Sequence, residues 1–136
     1  MRTPCLLTAL LLAGAAHAQP APSTAELDTA IHRGTLASLA PLCHLRDEPW
    51  AEDLRRASVQ DITHAKTPDD PTLQSAPGSN LAANALGFAD AEALEDFAET
   101  SPEAACAKLA ADPGLPDADR RVAAYRTSLT ATHPLW

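Results

Sequence analysis

Val, Ile and aromatic side chains are scarce in this chain of 136 residues. Val and Ile occur twice each, Trp and Phe twice each, and Tyr once. Those are the residue types that normally cover a sheet, so their shortage argues against strands, while the abundance of Ala and Leu favours helix. Long apolar runs are equally rare. The stretch Cys5–Ala16 is predominantly apolar but too short to cross a bilayer, and it follows Arg2. It closes on Ala16-His17-Ala18, small residues at the −3 and −1 positions of a cleavage site before Gln19. The pattern predicts a cleaved secretory signal over residues 1–18 and one exported domain over residues 19–136, in the periplasm or secreted. No second apolar span follows, so no membrane insertion is expected after cleavage.

Cysteine is also sparse, at three residues. Removal of the leader discards Cys5 and leaves Cys43 and Cys106, which have one possible pairing in an oxidising compartment. Leu39, Leu42 and Cys43 share a face of a short helical turn, and Cys106 lies on the same side as Ala105 and Leu109, so both thiols are expected to face the core. Closing a loop of this length stabilises a fold by roughly 4 kcal/mol in the chain-entropy model. That is a large share of the ~5–15 kcal/mol typical of a domain.

The surroundings of Cys43, "APLCHLRDEPWAEDLRR" over residues 40–56, raise chemical alternatives. Neighbours on a helix point about 100° apart, so Cys43 and His44 do not face each other as a thiolate–imidazole pair does. A zinc site needs about four ligands in spaced pairs. Here Cys43, His44, Asp47 and Glu48 are crowded together, and Pro49 interrupts any continuous ligand face. The disulfide reading prevails, and no metal or cofactor is expected. Nor is there a serine in a nucleophile elbow, a phosphate-cradling glycine loop or a two-His metal motif. The paired carboxylates give no specific signal for glycosidic chemistry.

Pro and Gly punctuate what remains into five to seven short helices, an irregular all-α bundle. Ser23-Thr24-Ala25-Glu26 is a capping box for the first, which directs Leu27, Ala30 and Ile31 inward. Gly34 is its expected stop, with continuation towards Leu39 as the alternative, and Pro41 fits the first turn of a separate segment bearing Cys43. Asp47-Glu48-Pro49-Trp50 opens a helix that runs to about Ala65 and turns Trp50, Leu54, Ala57 and Ile62 inward. A long loop follows over residues 66–79. A short helix from Asn80 to Leu86 is expected to end at Gly87, and Asp90 to open another through Glu99 with Leu94 and Phe97 on its apolar side. Ser101-Pro102-Glu103 caps the Cys106 helix, and the last helix carries Ala118, Val122, Tyr125 and Leu129 on one stripe.

Charge is the most informative surface feature. Loss of Arg2 with the leader takes the net charge from −8 to −9, which disfavours nucleic acid as a partner. Between Lys66 and Lys108 there is no cation, and eight carboxylates fall in that gap. Glu92, Glu95, Asp96 and Glu99 follow i, i+3, i+4, i+7 spacing and so share a helix face, where like charges cost stability. Asp28–His32 and Asp61–His64 read as ordinary helical neighbours. Together these features predict a non-enzymatic binding module, of inhibitor or immunity type, that recognises a basic exported protein through the Glu92, Glu95, Asp96 and Glu99 face. The alternatives are a holdase-type chaperone for acid stress, or a small enzyme gathering His, Tyr125 or Arg126 with carboxylates from separate helices.

Overall fold

The computed structural model describes residues 21–74 and 76–132. The leader expected over residues 1–18 and the tail from His133 to Trp136 lie outside them. Among the described residues there are five α-helices and one 3-10 turn: α1 (Thr24–Leu42), α2 (Glu48–Thr63), the turn Pro71–Gln74, α3 (Ala76–Glu99), α4 (Pro102–Ala110) and α5 (Gly114–Thr132). No strand occurs among them, as the shortage of Val, Ile and aromatic residues predicts. None of these helices is long and apolar enough to cross a membrane.

The polar start signals act as read. Ser23 and Glu26 form the reciprocal capping box of α1. Asp47 accepts the Trp50 backbone N–H at the start of α2, with Pro49 in its first turn. Ser101 accepts the Ala104 N–H at the start of α4. Stop signals inferred from Gly and Pro mostly fail. α1 passes through Gly34 and ends at Cys43, with Pro41 in its last turn rather than in the first turn of a new segment. α3 starts at Ala76, inside the expected loop, and passes through Gly87. The two helices expected on either side of Gly87 are therefore one, and Asp90 lies in its interior rather than at a cap.

Packing explains both continuities. α1 touches every other helix and runs parallel to α3: Ala30 clusters with Ala82, Gly34 faces Leu86 and Ala89, and the Ser38 hydroxyl donates to Asp90. A Cβ placed on Gly34 would lie 2.8 Å from the Ala89 Cβ, so the absent side chain is what permits the helices to approach. α3 meets α1 with an alanine stripe, Ala82, Ala89 and Ala93, all buried. A single internal glycine costs a helix about 1 kcal/mol, which this packing outweighs.

On the other side of α1, Leu36 and Ala40 join Trp50, Leu54, Leu115 and Val122 in the main core. Trp50, at 6 % exposure, is the core anchor its position implied. Leu42, expected inward with Cys43, is exposed instead, because it is the last residue of α1, Cys43 caps the helix and the chain turns away through His44 in the left-handed region.

Polar clasps supplement this alanine-rich interior. Asp61 of α2 accepts from Arg33 of α1 at 2.6 Å and from both arms of Arg121 of α5 at 2.8 and 2.9 Å. Arg33 also reaches Asp117 at 3.3 Å, so one network joins three helices. Cys43 and Cys106 form the expected disulfide, with 63 residues of sequence separation. It fastens α4, whose one fully buried residue is Leu109, to the end of α1.

Gly34→Ala should lower the unfolding free energy by about 1–2 kcal/mol despite its better helix propensity, since the helices must separate. Gly87→Ala, where an added Cβ meets nothing within 4 Å, should raise it by about 0.5–1 kcal/mol. Urea unfolding of the two variants reads opposite signs if the close approach at Gly34 is real. In the same assay under oxidising conditions, Cys43→Ser/Cys106→Ser should cost about 4 kcal/mol.

Candidate interaction surface

An uninterrupted α3 fixes where every one of its side chains points. With the alanine stripe against α1, Leu81, Phe88, Glu92, Glu95 and Glu99 are turned about 110° away from it; all are exposed and fall within an arc of about 60° at ~100° per residue. Asp96, also exposed, lies beside this arc towards α4. The four carboxylates expected on one face are therefore on the surface and adjacent. Leu94, expected inward, is 45 % exposed, while Phe97 is half-buried. The reason is register: Ala93 holds the inward position, and Leu94 follows it by about 100°.

Of the other carboxylates in the cation-free stretch, two have structural tasks. Asp90 receives the Ser38 hydroxyl and pairs with Arg55 at 3.5 Å, tying α3 to α1 and α2. Asp70 accepts the backbone N–H groups of Lys66 and Thr72, which hold its carboxyl below the ordinary range. Seven of the nine described Lys and Arg residues are committed elsewhere. Arg33, Arg46, Arg55, Arg56, Arg120, Arg121 and Arg126 each pair with a carboxylate, and none of those is Glu92, Glu95, Asp96 or Glu99. Among the described residues no ion pair reaches these four.

The histidines pair across helices rather than along them. His32 contacts Asp112 at 3.0 Å instead of Asp28, and His64 contacts Glu26 at 2.9 Å instead of Asp61. Asp61 is taken by the two arginines, and His64 leaves the helical direction as the left-handed cap of α2. The Ser23 backbone N–H and His64 both hold the Glu26 carboxyl below its usual value. His44, the neighbour of Cys43, is exposed.

Two open clefts border these pairs. One, of about 510 Å³, lies between α1 and α2 beside Glu26, His64, Arg33 and Asp61. The other, of about 550 Å³, lies between α1, α3 and α4, with Leu39, Phe97 and Leu109 on its floor and His32, Asp112 and Lys108 at its rim. Its two hydroxyls are tied to their own helices: Thr35 donates to the Ile31 carbonyl and Thr100 to that of Asp96. The His32–Asp112 pair lies in the same cleft, and both threonine hydroxyls there already donate to backbone carbonyls. Among the described residues no group of three or more His, Cys, Asp or Glu is arranged to hold a metal ion.

One polar cluster carries a pH signature. Arg46 donates to both oxygens of Asp119, at 2.9 and 2.7 Å, and the Trp50 indole N–H adds a third bond at 3.0 Å. The guanidinium, set against the opposing effect of burial, holds the Asp119 carboxyl below its ordinary 3.8. This junction pins the start of α5 to the entrance of α2. Sequence reading missed it, because its members are 69 to 73 residues apart and no local pattern joins them.

The chain matches no protein-family model, no curated protein and no solved structure.

A carboxylate whose pKa is lowered by folding stabilises the fold above its unfolded value and loses that contribution as pH falls through the lowered one. Asp119→Asn should thus cost about 1–2 kcal/mol at neutral pH, solvent screening of both half-exposed partners being taken into account. In urea unfolding the gap between variant and wild type should close as pH drops below the ordinary 3.8 of this group. A gap independent of pH would assign the loss to altered packing.

Proposed function

We propose that this chain is an exported, non-enzymatic binding module of inhibitor or immunity type, and that the acidic side of α3 recognises a basic protein in the periplasm or outside the cell. One observation carries the reading. Glu92, Glu95, Asp96 and Glu99 are exposed and unpaired by any described cation, although seven arginines are available and each is paired with another acid.

The arrangement works against the helix that bears it. Glu92–Asp96 and Glu95–Glu99 are like charges at i, i+4. Glu95, Asp96 and Glu99 also occupy the last turns of α3, where the helix dipole favours cations. Folding alone gives no reason to place negative charge there. A cationic partner does, since a patch of one sign speeds encounter with the opposite sign, and salt screens that steering.

The test starts from the exported fraction of the native cell. Wild-type chain and the variant Glu92→Gln/Glu95→Gln/Asp96→Asn/Glu99→Gln are immobilised, retained basic proteins are identified, and their association rates are measured. The variant should fold as well as wild type or slightly better. It should associate at least about tenfold more slowly at low ionic strength, with the difference narrowing in high salt. An unchanged rate at low salt overturns the proposal and leaves the face a role in solubility.

A further inference from the structure

The outer line of α3 is not acidic throughout. Its first half carries Leu81 at 37 % exposure and Phe88 at 61 %, and its second half Glu92, Glu95 and Glu99. Leu81, Phe88 and Glu95 repeat every seven residues, and Glu92 and Glu99 do the same one helical step aside, so the two halves are collinear. This alignment exists only because the helix continues through Gly87.

A phenylalanine with more than half its surface in water forfeits much of the ~1.5–3 kcal/mol that burial of such a side chain supplies. Exposed aromatics surrounded by polar groups are typical anchors of protein interfaces.

We infer that Phe88, with Leu81, is the apolar anchor of the same interface, and that the partner offers an apolar pocket continued by a row of Lys or Arg. This inference rests on the acidic-face reading and specifies the partner it fits. At 1.5 Å per residue the line from Leu81 to Glu99 spans about 27 Å, with the cationic row beginning about 6 Å beyond the pocket. That is helix-in-groove recognition in which α3 is the inserted element.

The charges select this occupant over others. A second copy of the chain is a poor fit: parallel pairing sets Glu92, Glu95 and Glu99 against themselves, and antiparallel pairing sets Phe88 against carboxylates. An anionic lipid surface repels the acidic half. A protein surface with both an apolar pocket and cations satisfies the whole line. The two halves then have separable effects, the carboxylates on the rate of encounter and Phe88 on the lifetime of the complex.

Two synthetic 18-residue peptides of equal positive charge serve as probes, one with Leu in one half and Lys in the other half of the same helical face, the other with every Leu replaced by Ser. Binding is read by fluorescence anisotropy at low salt, and circular dichroism checks each variant's fold. Wild type should bind the Leu/Lys peptide about tenfold more tightly than the Ser/Lys peptide, a hot-spot-sized margin. Phe88→Ser should lose that margin while holding the Ser/Lys peptide as wild type does, and Phe88→Leu should retain most of it. If both peptides bind wild type equally, or Phe88→Ser keeps the margin, the anchor is refuted. The acidic-face reading then survives provided Glu92→Gln/Glu95→Gln/Glu99→Gln weakens both peptides. If neither peptide binds wild type, or the glutamine variant binds both as wild type does, the reading itself fails and the anchor with it.

Discussion

The approach of α1 to α3 governs the rest of this molecule. Two helices can lie this close only if their facing positions are nearly empty, and here they are Gly34 on one side and Ala82, Ala89 and Ala93 on the other. Small side chains bury little apolar area each, so the contact stabilises through its length and tightness. It also sets the rotation of α3 about its axis. Once the alanines face α1, the positions of Phe88 and of the glutamates are determined, as is that of Asp90, which meets Ser38 and Arg55 at the edge of the contact.

A core built from alanine leaves stability to be found elsewhere, and the fold finds it in covalent and ionic links between elements. Arg33, Arg121 and Asp61 join α1, α2 and α5. Arg46, Trp50 and Asp119 join the entrance of α2 to α5, and the disulfide joins α1 to α4. These groups are half-buried, so each ion pair is weaker than a fully desolvated one but carries less desolvation cost. Most of the arginines are consumed in bridges between helices. That consumption leaves none of the described arginines to neutralise the acidic side of α3.

Local polar chemistry was legible in the sequence, and long-range packing was not. Ser23, Asp47 and Ser101 cap helices because a short side-chain oxygen reaches an orphan N–H a few residues away, which requires nothing from the rest of the fold. The pairing of Cys43 with Cys106 was legible through exclusion, given the inferred loss of Cys5. Gly34, Pro41 and Gly87 misled for a single reason: propensity is a weak local preference that tertiary contact overrides. The histidine partners were missed because His32 meets Asp112 and His64 meets Glu26, 80 and 38 residues away, whereas sequence inspection proposes neighbours one turn off. The four acidic residues are exposed and adjacent on α3, as their spacing implied. Their company was not legible, since a break at Gly87 would have separated Phe88 and Leu81 from their register.

That last misreading shows what the glycine does for the surface. A helix stopped at Gly87 and restarted at Asp90 would be free to turn Phe88 and Leu94 into the core, and the acidic residues would then stand alone. The continuous helix forbids this. Rotating α3 to bury Phe88 would swing the alanine stripe out from beneath α1 and drive larger side chains against Gly34, where even one added Cβ collides. The exposed phenylalanine is therefore a consequence of the tightest contact in the fold, held outward by the absence of a side chain on the opposite helix. A surface constrained in that way is already ordered before any partner arrives, which reduces the conformational cost of binding to it.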